Sequence, residues 1–240
     1  MIIYGKNTVL EAMRQQRPLT KIYLSEHNKT FQKQLNDYGY QTTPLSVMSF
    51  AKMNQQFKGN HQGIVAEILG EYHYKTLKEI IKKAEGTTNA PAFVILDGLE
   101  DPHNLGAILR TADATKMQAV IIPKNRSVGL SATVAKVSTG AIEHVDVVQV
   151  TNLVQAINEL KQQGFWIIGL ELDGSIDYRQ QDYHGKIVLV IGSEGRGISR
   201  LVKEACDFTV NIPMYGHVNS LNASVSAAIL FYEVVRSRQY

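Results

Sequence analysis

The chain has 240 residues, of which 44% are apolar and 20% charged, and a net charge of +3. These are values of a globular protein with one large or two small domains. No run approaches the ~18 apolar residues of a membrane span, and Met1-Ile-Ile-Tyr-Gly-Lys6 lacks the order of a signal peptide, so a cytoplasmic location is expected.

The charge is unevenly placed. Residues 1–75 carry 9 Lys/Arg against 5 Asp/Glu, and the remainder carries 16 against 17. A basic excess of this size suits RNA contact and suits a solvated face equally well. Within this third, short elements alternate. A helix is predicted over Lys6–Gln15, with Val9, Leu10 and Met13 on one face. Strand Lys21–Leu24, a helix near Phe31–Tyr38, an extended Gln41–Leu45, a helix over Ser46–Asn54 and strand Ile64–Leu69 follow. The polar loop Lys58-Gly-Asn-His-Gln-Gly63 precedes the last strand. Residues 76–85 read as a connecting helix and Gly86–Pro91 as a hinge. The expected division is therefore 1–75, a linker over 76–91, and 92–240.

After Pro91 the pattern changes. Apolar runs of strand length recur at Phe93–Leu96, Ala119–Ile122, Val145–Val150, Trp166–Leu170, Ile187–Ile191 and Phe208–Ile212. Helical stretches separate them, notably Leu105–Ala114, Leu153–Gln163 and Ser220–Arg238. Apolar strands alternating with helices predict an α/β fold with a parallel sheet covered on both faces. Ligands bind such sheets at the carboxyl ends of the strands.

Three of those ends are unusual. Leu96 leads into Asp97-Gly-Leu-Glu-Asp-Pro-His-Asn-Leu-Gly106 and on to Arg110. Asn104 and Arg110 could converge if Asn104 opens the helix and Arg110 reaches back; the plain alternative is an N-cap and a solvated Arg. Ile191 leads into Gly192-Ser-Glu-Gly-Arg-Gly197, whose glycines let backbone approach a ligand. Its spacing is neither the dinucleotide fingerprint nor a P-loop, and Glu194 would repel a pyrophosphate, so a neutral or cationic ligand fits better. Ile212 leads into Pro213-Met and then a turn presenting Asn219, Ser220, Asn222 and Ser224. A helix needs one such residue as its cap, and the surplus suggests a small-molecule site. The seven His and single Cys206 show no metal-ligand spacing, and Cys206 reads as a buried, inert thiol.

Asn104…Arg110, Gly192-Ser-Glu-Gly195 and Ile212-Pro-Met…Asn219-Ser-Leu-Asn222 together resemble the three motifs of the SpoU (TrmH) group of SPOUT RNA 2′-O-methyltransferases. The first 70 residues, with Tyr4-Gly-Lys6 and His61-Gln-Gly63, are similar to a small L30e-like RNA-binding domain. The segment Asp97–Gly106 is similar to the bacterial 23S rRNA (guanosine-2′-O-)-methyltransferase subgroup. The resemblance implies a deep trefoil knot in 92–240, S-adenosylmethionine as cofactor with no metal, cofactor contacts at Gly192, Ile212 and Leu221, and a homodimer. In that dimer Arg110 would lie near the partner subunit's cofactor. It also implies a catalytic set of Asn104, Arg110, Glu194, Ser220 and Asn222.

Ribose 2′-O-methylation needs an in-line sulfonium methyl and loss of the hydroxyl proton. A guanidinium stays charged in proteins, so Arg110 would stabilise a developing alkoxide, with Glu194 as an alternative base. The expected function is methylation of a guanosine in 23S rRNA. Guanosine 2′-O-methylation in tRNA and a noncatalytic RNA-binding or assembly factor are the alternatives; a Rossmann enzyme is weaker, lacking the glycine fingerprint.

Overall fold

The computed structural model describes residues 1–87, 89–172 and 176–238. They form two units: Met1–Tyr72 with Leu130–His144, and His73–Gly129 with Val145–Tyr240. Thr88 of the expected hinge lies outside the described residues.

The first unit runs β1 (Ile2–Tyr4), α1 (Lys6–Arg14), β2 (Leu19–Ser25), α2 (Lys29–Asp37), β3 (Leu45–Met48), α3 (Phe50–Gln56) and β4 (Ile64–Ile68). Its sheet has the order β1-β4-β2-β3, antiparallel except for β2–β3. Tyr23, Met53, Phe57 and Val65 pack together on it, and Tyr23 meets Phe57 edge-on. The expectation for residues 41–54 is corrected here. Residues 45–48 are strand and the helix begins at Phe50. Leu45–Met48 pairs in register with Ile22–Ser25, and Ser49 Oγ caps the helix by accepting from the Lys52 amide at 3.3 Å.

The second unit contains α4 (Leu77–Glu85), β5 (Ala92–Asp97), α5 (Pro102–Ala114) and β6 (Ala119–Pro123). The next helix, α6 (Ala132–Val137), belongs to the first unit. The second unit resumes with β7 (Asp146–Val150), α7 (Leu153–Gln162), β8 (Trp166–Leu170), β9 (Ile176–Asp177), β10 (Ile187–Gly192), α8 (Arg200–Glu204), β11 (Phe208–Asn211) and α9 (Ala223–Arg238). Its sheet is seven-stranded and parallel throughout, ordered β7-β6-β5-β10-β8-β11-β9. Each of the six apolar runs is a strand. Phe93, Ile95, Val188, Val190 and Ile167 build the core with α7 and with Leu77, Ile80, Ile81 and Ala84 of α4. Helix α4 thus packs into this unit, and a reciprocal capping box between Thr76 and Glu79 starts it.

Residues 130–144 leave the second unit after β6 and join the first. Thr8 Oγ1 donates to Ala135 O at 3.3 Å, Lys136 Nζ to Gln62 Oε1 at 2.7 Å, and His144 Nε2 lies 2.6 Å from Glu11 Oε1. Val134, Ala135, Ala141 and Ile142 are buried there.

Candidate active site

The site lies at the carboxyl ends of β5, β10, β8 and β11. At β5, Asp101 caps α5, its Oδ1 accepting from the His103 amide at 2.9 Å, with Pro102 at the first helical position. This places Asn104 in the first turn, 6% exposed. At β10 the loop Ser193–Gly197 folds back on itself: Ser193 and Gly197 exchange both backbone hydrogen bonds, at 3.1 and 3.0 Å. Gly192 permits that closure, because a Cβ there would lie 2.0 Å from the Gly197 carbonyl carbon. Gly197 has φ +66, a backbone state that favours glycine. At β11 a turn leads to Asn222, the N-cap of α9, whose Oδ1 accepts from the amides of Ser224 at 2.9 Å and Val225 at 3.3 Å.

Three side chains far apart in sequence meet here. Glu194 Oε1 accepts from Asn104 Nδ2 at 3.0 Å, from the Ala223 amide at 3.4 Å and from Asn222 Nδ2. Asn222 Nδ2 also donates to Asn104 Oδ1 at 2.9 Å. The helix amides claim the Asn222 oxygen, so its nitrogen must face Glu194 and Asn104. The cluster ties the three strand-end loops together with a charge-assisted acceptor at its centre.

Arg110 does not join it. Six positions beyond Asn104 is about 240° around the helix axis. Its side chain is exposed and makes no hydrogen bond or ion pair with the described residues of its own chain. Asn104 and Arg110 therefore do not converge within one chain. Ser220 is exposed, and Ser220, Leu221 and Gly192 line a cavity of about 410 Å³ between loop 193–197 and residues 219–226. Ile212 is partly buried and lies outside that lining.

Leu170, Glu171, Leu172 and Ile191 complete the cavity. The walls combine these apolar side chains with Glu171, Glu194 and Arg196, and the volume is that of a small-molecule site. A second cavity of about 270 Å³ shares Ser193, Glu194 and Arg196 with it and is bounded by Gly98–Asp101 and Asn104. Glu194 thus stands between two adjoining spaces. The sequence reading missed Glu171 and Arg196. The strand-end rule, applied to Trp166–Leu170 as to the other strands, leads to Glu171.

Cys206 donates from Sγ to Val202 O at 3.3 Å, and burial pushes its thiol up to about 12. Among the described residues, no group of three or more His, Cys, Asp or Glu could hold a metal, and no helix is long and apolar enough to cross a membrane.

Residues 91–232 match the model of the SpoU rRNA Methylase family, and residues 2–72 match that of RNA 2′-O ribose methyltransferase substrate binding. A Bacillus subtilis protein assigned to the TrmH family of tRNA/rRNA methyltransferases, YacO, is 46% identical over 98% of this chain and 95% of its own. A Staphylococcus aureus protein assigned to the same family is 47% identical over 99% and 96%. The crystal structure of the SpoU methyltransferase AviRb from Streptomyces viridochromogenes with AdoMet superposes with a TM-score of 0.82 at 22% identity. It covers 100% of this chain and 90% of that one, and shares its fold.

Proposed function

We propose, from the premise that this chain belongs to the SpoU rRNA methylase family, that it methylates the 2′-hydroxyl of a guanosine in 23S rRNA. As a member of that family it is an S-adenosylmethionine-dependent RNA 2′-O-ribose methyltransferase. The clamp of Asn104, Glu194 and Asn222 at the wall between two cavities carries the site assignment. The larger cavity, with Gly192 and Leu221 in its lining, would hold the cofactor, with Ile212 as a further contact that the family resemblance implies. The smaller, beside Asn104 and Arg196, would admit the target ribose.

The bound cofactor supplies an electrophilic methyl group on sulfur. The chain's residues do the rest. Glu194 Oε1 is already engaged by donors from three positions, so it serves best as the anchor that aligns the two spaces. Arg110 stabilises the alkoxide as the hydroxyl proton departs to water, a preorganised charge of the kind that supplies ~3 kcal/mol. Its exposure suits action in the partner's site of a homodimer. Ser220, at the mouth of the larger cavity, orients the reacting ends. Residues 1–75, with their basic excess, would bind RNA, and 92–240, knotted as the family resemblance implies, would carry the chemistry.

Mass-spectrometric mapping of 2′-O-methylated nucleotides in total RNA, with and without the gene, tests this. Loss of one 2′-O-methylguanosine from 23S rRNA is expected. Loss from tRNA would replace the rRNA assignment by the tRNA one, and an unchanged map would favour a noncatalytic factor.

A further inference from the structure

The loop that closes the larger cavity is gripped from both sides. Strand β10 lies between β5 and β8 in the sheet, and each neighbour ends in a carboxylate directed at the chain leaving the loop. Asp97, the last residue of β5, accepts the Ser199 amide on Oδ2 at 2.7 Å. Glu171, the first residue beyond β8, accepts the Ile198 amide on Oε1 at 3.2 Å. Its Oε2 holds Lys203 Nζ at 2.9 Å, and its side chain is only 14% exposed. Two successive amides are thus pinned by two strands, immediately after the Ser193–Gly197 closure. Helix α8 gains no side-chain cap from Ser199; the two carboxylates instead hold the two amides just ahead of its first residue, Arg200.

We infer that Asp97 and Glu171 are positioning residues for the cofactor loop: they fix Ile198 and Ser199, and through them Gly192–Gly197, in the shape that the cofactor requires. The inference rests on reading the larger cavity as the cofactor's. Hydrogen bonds to a carboxylate are the stronger kind, and a loop held before binding spends less on being ordered.

The test uses full-length Asp97→Ala, Asp97→Asn, Glu171→Ala and Glu171→Gln, with S-adenosylhomocysteine as the calorimetric probe and hydrogen exchange read at the Ile198 and Ser199 amides. The alanine variants are expected to bind about tenfold more weakly and to exchange these amides faster. The Asn and Gln variants keep an acceptor oxygen and are expected to recover most of the affinity. Alanine variants with unchanged affinity and exchange would overturn the positioning role. A wild-type protein that fails to bind the probe would overturn the cavity assignment, and the proposal with it.

Discussion

Gly192→Ala puts the loop geometry to a severe test. The added Cβ would lie 2.0 Å from the Gly197 carbonyl carbon, 2.2 Å from its oxygen and 2.3 Å from the Ile198 nitrogen. All three are backbone atoms, so no side chain can swing aside. Carbon contacts relax only near ~3.5 Å, so the loop must retreat by more than about 1 Å. That opens the two Ser193–Gly197 hydrogen bonds, worth ~1 kcal/mol each, and overpacking adds ~1–3 kcal/mol. The combined destabilisation is roughly 3–5 kcal/mol. Even ~2 kcal/mol lowers Tm by about 4–8 °C in a chain of this size. Because the same loop lines the cavity, affinity for S-adenosylhomocysteine is expected to fall at least ~10-fold. Differential scanning and titration calorimetry on one preparation read both quantities. A variant melting within about 1 °C of wild type and binding equally well would refute the reasoning.

Arg110→Ala is expected to change stability by less than ~0.5 kcal/mol but to lower single-turnover methylation by a factor of about 100 or more; near-wild-type rates would remove Arg110 from the catalytic set. Mixing it with Gly192→Ala subunits is expected to restore partial activity if sites are shared across a dimer. Asn222→Asp keeps the cap oxygen of α9 but sets a second carboxylate against Glu194, so activity at neutral pH is expected to fall further than in Asn222→Ser and to recover partly in acid; a pH–rate profile of both variants decides. His61 is buried, with Nδ1 accepting from the Gly63 amide at 2.9 Å and Nε2 2.8 Å from Asn54 Oδ1, and burial lowers its pKa. The neutral ring is the folded form, so its stabilisation is complete above the unfolded value of ~6.5 and is lost as pH falls through the lower folded value. His61→Gln should flatten that slope in denaturant titrations between neutral and acidic pH.

Much of the fold is legible in the residues because buried parallel strands announce themselves: Phe93–Leu96 or Ile187–Ile191 have few other uses. The two-residue β9 is too short for any apolar period to reveal. Residues 45–48 escaped because their strand is defined by pairing with β2 rather than by alternation. At the site, Asn104, Glu194 and Asn222 were each visible as excess polarity at a strand end. That they bond to one another was not, since they are separated by up to 118 residues. Glu171 resembles a surface carboxylate until β8 is placed beside β10. Gly192 was read as making room for a ligand, whereas its missing side chain makes room for Gly197.

The excursion of residues 130–144 bears on how such a gene can be cut and spliced. The chain passes between the two units three times, after Tyr72, Gly129 and His144. A recombination breakpoint near residue 73 would therefore transfer an incomplete module and strand the buried face of Val134, Ala135 and Ile142 without its partner. Only exchanges that carry 1–72 and 130–144 together keep that unit whole. A chimera that exchanges residues 1–72 alone thus acquires a seam that neither parent had.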